Sequence, residues 1–542
     1  VPGPKIIQHH PTVTVIRDHD VNSMPEQDIK KVITEAHKRG LELHAWFNVF
    51  QTSSTYPGSP AAEHPEWICR DRDGIPMTSY RSISPGLQEV RDYTIDVAME
   101  IVRNYDIDGL HLDYVRWNEH TNTGRQSSEP QTEIRRMDGI ISIEEQNNLT
   151  LNPSSRYLYD YLHPYSGGIP DGYTSWEEWW RESVTSFVEA LHDSIQSVKP
   201  YVQLSAAVLG KYNWSGWQGY GTVFQDGAKW FNEGSLDHIM PMSYHWTTAD
   251  GFTGMLEDDC PQCWWLFVQP GVESDRPFTV GPGSYVLDEN NVWYRHTDIV
   301  NAVRSLNWVK GFQFFSYGTW EDNDYFETAG DSFFENKTKS PPKPNNNSVT
   351  IEPPSLTINP LDNVSMELTI YPSSTLNLGW LILYRSLNPA ATIDNGEIIS
   401  IQYGSEAVKF VDILADSGLV YQYFATQTDR FWHESTPSNK VYSTLTPLPN
   451  TYIISNNYPN PFNGKTSIPF SISSYGNVGL YITDLKGKIV ATLVNQLMIP
   501  GDYIVDWHGK NDKGVQQASG IYLVFLKTND KFRKAKRLVY LK

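Results

Sequence analysis

Two aspartates in the segment DGLHLDYV, Asp108 and Asp113, are the residues of this chain whose type and spacing best suit acid–base chemistry. The segment reads as a strand, so about 16 Å separates the pair at ~3.3 Å per residue. In a parallel β/α architecture, reactive side chains gather at the C-terminal ends of strands and on the loops that follow. That polarity assigns Asp113 to the reactive rim and Asp108 to the opposite one. Asp113 shares strand parity with His111, so both face the interior of a closed barrel. A carboxylate there is costly unless it is paired or used. Catalysis is one reading of Asp113, and a structural ion pair with Arg116 is the other. Asp237 precedes its strand and reads as a cap at the far rim.

Cleavage of a glycosidic bond takes two carboxyl groups, one as proton donor and one as nucleophile or base. Asp18 and Asp20 follow the strand TVTVIR, and Glu321 follows FFSYGTW. Asp20 and Glu321 rank equally as the partner of Asp113, against the plainer reading of each as a solvated loop acid or helix cap. His44, Trp46 and Asn48 alternate along ELHAWFN and would line the same interior, with His44 equally suited to a hydrogen-bonded core position. Arg116 and Trp117, just past Asp113, join them as substrate contacts. Tyr244, Trp246, Tyr285, Tyr317 and Trp320 gather near three strand ends, where they either stack on sugar rings or pack the core. Arg81 and Arg181 either orient carboxylates or make surface salt bridges.

The elements that must hold these residues alternate up to about residue 335. Strands TVTVIRD, LELHAWFN, DGLHLDYV, VQLSAAV, HIMPMSYHW, FTVGPGSYV and GFQFFSYG are interleaved with helices such as 25–40, 90–105, 176–199 and 298–306. Pro25 and Gly40 stand near the start and at the end of the first helix. Strands separated by helices imply a parallel sheet. Seven strands are one short of a (β/α)8 TIM barrel, so an eighth is expected before Val1, with the N-terminus trimmed or a signal peptide removed. An open doubly wound sheet is the competitor, but no GxGxxG fingerprint occurs. A Pro/Asn-rich linker covers 336–350, and two all-β sandwich domains are expected at 351–447 and 451–542.

The chain has 542 residues, 63 Asp and Glu against 43 Lys and Arg, a net charge of −20, 18 Trp and 31 Tyr. Phosphate binding needs clustered cations, so a nucleic-acid partner is not expected. No apolar run reaches the roughly 18 residues of a membrane span. Cys260 and Cys263 form a lone CxxC that is a local disulfide, half a metal site or incidental, and Cys69 reads as a buried small hydrophobe. HExxH and GxSxG are both absent, and neither a catalytic metal nor a cofactor is expected.

AHKRGLELHAWFN, YDIDGLHLDYVRW, SLDHIMPMSYHW and GFQFFSYG, over roughly 25–320, resemble the glycoside-hydrolase-like family related to family 10. The resemblance implies a (β/α) barrel enzyme acting on polysaccharide or peptidoglycan glycan strands. Met242 stands where many members carry glutamine, and the loop 118–175 is long. Residues 351–447 loosely resemble fibronectin type III modules. NNYPNPFNGKTSIPFSI and the segments after it, over 451–542, resemble the C-terminal sorting domain of type IX secretion. That implies recognition by the type IX machinery and a secreted or cell-surface location. The alternatives to a secreted hydrolase are a non-catalytic carbohydrate-binding barrel and a surface adhesin that binds through its sandwich.

Overall fold

The computed structural model describes residues 14–16, 26–52, 58–78, 81–120, 156–214, 217–257, 260–343, 350–361, 365–373, 378–404, 406–413, 420–443, 451–473, 476–498, 501–528 and 531–542. Pro25, Asp18 and Asp20 lie outside them. The chain divides into two compact units, the first comprising 1–350 together with 401–403 and 428–433, the second the remainder.

The first unit is built on one sheet of β1 (Thr14–Ile16), β2 (Leu43–Asn48), β3 (Gly109–Asp113), β4 (Gln203–Leu209), β5 (His238–Met242), β6 (Phe278–Val280) and β7 (Val309–Phe312). The spatial order is the chain order, and all six pairings are parallel. A doubly wound sheet would reverse its order partway; unbroken sequential winding is the arrangement of a barrel. Seven strands belong to this sheet among the described residues.

The crossover helices follow from apolar periodicity. In α2 (Gln88–Asn104), Val90, Thr94, Ala98, Met99 and Val102 are buried along one stripe. In α3 (Trp176–Val198), the Ser175 hydroxyl accepts the Glu178 N–H while Glu178 turns back onto Thr174, tying off the first turn. The first helix, α1 (Glu26–His37), ends at Gly40, whose φ of 73° lies in the left-handed region. A Cβ there would also stand 2.6 Å from the Ile401 carbonyl, so the position requires glycine twice over.

Strand register makes the barrel interior polar. His44, Trp46 and Asn48 pair with Gly109, His111 and Asp113, and Gly109 and His111 pair in turn with Gln203 and Ser205. Ser205 pairs with His238. His111 Nδ1 is 2.9 Å from the Ser205 hydroxyl, and His238 Nε2 is 2.9 Å from that of Thr279. Burial pushes both histidines down to about 3, so they hydrogen-bond as neutral rings at physiological pH.

At the N-terminal rim, Asp108 is sealed from solvent. Its Oδ2 accepts from the Leu43 N–H at 2.8 Å and from His37 at 2.7 Å, and its Oδ1 accepts from Arg430 at 2.7 Å. Burial pushes its carboxyl upward, but the His37 hydrogen bond and the Arg430 charge outweigh it and hold it below the ordinary range. Beside it, buried Glu42 accepts from Lys343 at 2.9 Å and from the Trp432 indole at 3.0 Å. All of these residues belong to the first unit.

The second unit is antiparallel. One pair of sheets contains β8 (Ser355–Pro360), β9 (Ser365–Tyr371) and β12 (Val408–Ile413) in the order β12-β9-β8, and β10 (Leu378–Ser386), β11 (Glu397–Tyr403), β13 (Gln422–Asp429) and β14 (Val441–Tyr442) in the order β11-β10-β13-β14. A second pair follows, with β15 (Ile453–Ile454), β16 (Thr466–Ile472) and β19 (Gly501–Trp507) against β17 (Gly476–Thr483), β18 (Ile489–Met498), β20 (Gly520–Thr528) and β21 (Lys531–Tyr540). In β16 every second residue is buried. The YPNPFN segment clasps the final strand. Asn460 and the Phe462 N–H bond both backbone groups of Val539, and the Phe462 ring sits 5.0 Å from Tyr540.

The Asp108 network sets a stability expectation. Asp108→Ala removes the acceptor for a buried guanidinium, a histidine and a backbone amide. It should cost ~3–5 kcal/mol in urea unfolding of the full chain; a loss below 1 kcal/mol would show that the network is incidental.

Candidate active site

Asp113 ends β3, on the interior side of the sheet, with 9% of its surface exposed. Its Oδ1 accepts the Tyr114 N–H at 2.7 Å, and the Trp46 side chain hydrogen-bonds the same carboxylate. Tyr114 has a φ of 52°, a left-handed conformation that costs a non-glycine residue ~1–2 kcal/mol and turns the chain sharply away from the carboxylate. Burial raises the Asp113 carboxyl above its ordinary value, and the charge of Glu119 adds to the rise. Arg116, the Tyr114 N–H and Trp46 oppose it and lose. A carboxylic acid in this setting holds its proton to higher pH than a solvated aspartate.

The loop after β3 is fixed by its own contacts. Arg116 is buried, lies over the Tyr114 ring at 4.7 Å and donates to Glu119 Oε2 at 3.1 Å. Arg156 donates to the Asn118 and Thr222 carbonyls, and the Asn118 side chain accepts the His120 N–H at 2.6 Å. These contacts frame a small half-open hollow of about 20 Å³, lined by Gln51, Ser82, Tyr114, Arg116, Asn118 and Glu119. Glu119 thus brings a second carboxyl to the surroundings of Asp113, six residues downstream. The sequence reading passed it over because it ranked acids by strand ends, and Glu119 stands inside a loop. Its signal was the spacing Asp113, Arg116, Glu119.

The other expected residues divide. Asn48 is exposed and lies directly across the sheet from Asp113; Trp46 is half-buried beneath it. His111 lies below, bonded to Ser205. His44 is remote from the C-terminal rim: it packs over Gly109 at the start of β3, 3.7 Å from Glu42. Trp117 is 1% exposed and donates to the Trp180 carbonyl, so its indole packs in the core. Trp320 is likewise internal, bonded to Ser284 within an aromatic cluster, because the loop after β7 folds at once into a short helix, Tyr317–Asp322. Glu321, on that helix, is exposed. Tyr317 is 48% exposed and packs on Phe326 at 5.0 Å.

Tyr244 and Tyr285 do meet, edge to face at 5.6 Å, with Phe315 stacked on Tyr244. Trp246 packs on Trp214 at 5.6 Å. Two further polar residues stand past the strand ends without having been expected: Lys211 beyond β4, and Gln313 beyond β7, whose buried Oε1 has no hydrogen-bond partner. Cys260 and Cys263 are joined as a disulfide. Among the described residues no group of three or more His, Cys, Asp or Glu could hold a metal ion, and no helix is long and apolar enough to cross a membrane.

Residues 15–265 match the family described as Glycosyl hydrolase-like 10. Glycosyl hydrolase YngK of Bacillus subtilis (strain 168) is 23% identical over 455 residues, covering 76% of this chain and 77% of YngK. Glycosyl hydrolase DigH of Escherichia coli (strain K12) is 23% identical over 238 residues, 39% of this chain and 45% of DigH. Among solved structures, the PgaB (BpsB) glycoside hydrolase domain from Bordetella bronchiseptica is 14% identical, with a TM-score of 0.31 over 55% of this chain and 76% of that one.

The raised carboxyl of Asp113 has a thermodynamic consequence. Between the ordinary aspartate value of 3.8 and the higher folded value, the native state holds more protons than the unfolded one, so stability falls as pH rises through that window. Asp113→Asn removes this component. In urea unfolding from pH 4 to pH 8, the variant should gain on the wild type through the window and then stay level with pH; parallel profiles would contradict the assignment.

Proposed function

We propose that this protein is an exported glycoside hydrolase that cleaves a polysaccharide or glycan strand, with Asp113 and Glu119 as its carboxyl pair. The observation that carries the reading is Asp113 itself: a buried carboxyl at the C-terminal end of a barrel strand, raised by burial and close enough to a second carboxyl, Glu119, to feel its charge. Structural carboxylates in this chain look different. Asp108 and Glu42 are both compensated by cations and held low, whereas Asp113 is left undercompensated. The match of residues 15–265 to a glycosyl-hydrolase-like family supports the same reading.

The chemistry follows from the two environments. Asp113, whose proton is held to higher pH by burial, gives it to the leaving glycosidic oxygen. Glu119, beside the Arg116 guanidinium, is the partner that attacks the anomeric carbon or activates a water. Trp46 orients the Asp113 carboxyl, and Tyr244 and Tyr285 offer ring faces to sugars. Asp113→Asn and Glu119→Gln should each lower kcat by at least ~100-fold on a polysaccharide and peptidoglycan panel, with no fall in melting temperature. Substantial activity in either variant would remove that residue from the pair. Glycan binding without turnover by the wild type would leave a binding protein.

Export rests on the resemblance of 451–542 to a sorting domain and on the Cys260–Cys263 disulfide, a bond that persists in oxidising compartments. Deleting 451–542 should keep activity in lysate and abolish it in the medium and on the cell surface. Unchanged secretion would overturn the assignment.

A further inference from the structure

Lys211 lies two residues past β4, the strand beside β3, and only 6% of its surface is exposed. Among the described residues its ammonium meets no carboxylate and no hydrogen-bond acceptor; its nearest aromatic neighbour is the Trp214 ring, centred 5.7 Å away. A lysine so placed loses hydration with only the face of an indole in return. Burial pushes it down to about 8, so it stays largely charged at neutral pH. Lys343 in the same unit is an internal control. It is equally buried at 7%, yet it bonds Glu42 at 2.9 Å and the Tyr201 carbonyl at 3.1 Å. In a chain with 63 acids and 43 bases, an unpaired buried lysine is not a shortage of partners.

Its surroundings are short of acceptors in the same way. Trp214 Nε1 and His245 Nδ1 are both enclosed without a hydrogen-bond partner. Indole nitrogen is a donor only, ammonium is a donor only, and imidazole nitrogen donates in one tautomer. Burial, helped by the Lys211 charge, pushes His245 down to about 3. Trp214 and Trp246 stand edge to face at 5.6 Å and give the cluster an apolar side. Donors without acceptors, one of them charged, beside aromatic faces, fit a ligand that combines an anionic oxygen group with a sugar ring.

We infer that Lys211, Trp214, His245 and Trp246 form a subsite for a carboxylate-bearing sugar residue, so that the glycan handled at Asp113 is acidic. The inference rests on the hydrolase reading for its substrate but not for its test. Uronic acids and lactyl-ether amino sugars both present such a carboxylate. Binding is therefore measured by calorimetry on the full chain carrying Asp113→Asn. The probes are a uronate polysaccharide and peptide-free peptidoglycan strands, each beside its carboxyl-reduced form. At least one acidic polymer should bind roughly tenfold tighter than its reduced form, and the polymer that does so identifies the source. Lys211→Met should erase the preference, and Lys211→Arg should keep most of it. Equal affinity for acidic and reduced polymers with Lys211 in place, or a preference that survives Lys211→Met, overturns the subsite. Lys211-dependent binding with no hydrolysis by the Asp113 protein supports the subsite and overturns the hydrolase reading.

Discussion

The Leu43 amide donating to the Asp108 carboxylate fixes how β2 and β3 lie against each other. That bond sits one step before the first ladder pair and sets the register in which His44 meets Gly109, Trp46 meets His111 and Asn48 meets Asp113. A slip of one residue would turn every interior side chain of β2 outward. The Trp46 hydrogen bond to Asp113 exists only in this register. The acid at one end of β3 is therefore positioned by the acid at the other end, and the two have opposite environments. Asp108 is surrounded by donors and cations; Asp113 has one backbone donor, one indole and a guanidinium shared with Glu119.

A polar barrel interior is the second consequence. Where most barrels fill their centre with branched apolar residues, this one places His44, His111, Ser205, His238 and Thr279 on inward positions. His111 and His238 are neutral there, and Ser205 and Thr279 supply their hydrogen-bond partners. These pairs cross between strands, so they report register as strictly as the backbone ladder does.

The sequence carried the architecture clearly. Strand and helix periods, the polarity that sends Asp108 and Asp113 to opposite rims, and the parity that faces Asp113 inward all survive in the structure. They are local properties of short segments. The site was less legible because strand ends do not say how a loop folds back. Trp117 and Trp320 sit near strand ends, yet their loops turn both indoles into the core. His44 has the right parity but the wrong height, a distinction that only the register with Gly109 makes. Glu119 and Lys211 were invisible for the converse reason: an acid or a lysine in a loop looks solvated until its neighbours bury it.

The partners of Asp108 also have a timing. Arg430 lies 322 residues further along the chain, and ribosomes add ~5–20 residues per second, so roughly 15–65 s pass between the synthesis of the carboxylate and that of its guanidinium. Lys343 and Trp432, which serve Glu42, are late as well. All seven strands are made before that interval ends, but Asp108 at their N-terminal rim still waits for its guanidinium. Neutralisation of the Asp108 end of the barrel is thus an event of late translation. A fragment ending in the linker would arrest the protein at that unfinished stage, with Asp108 in want of its guanidinium.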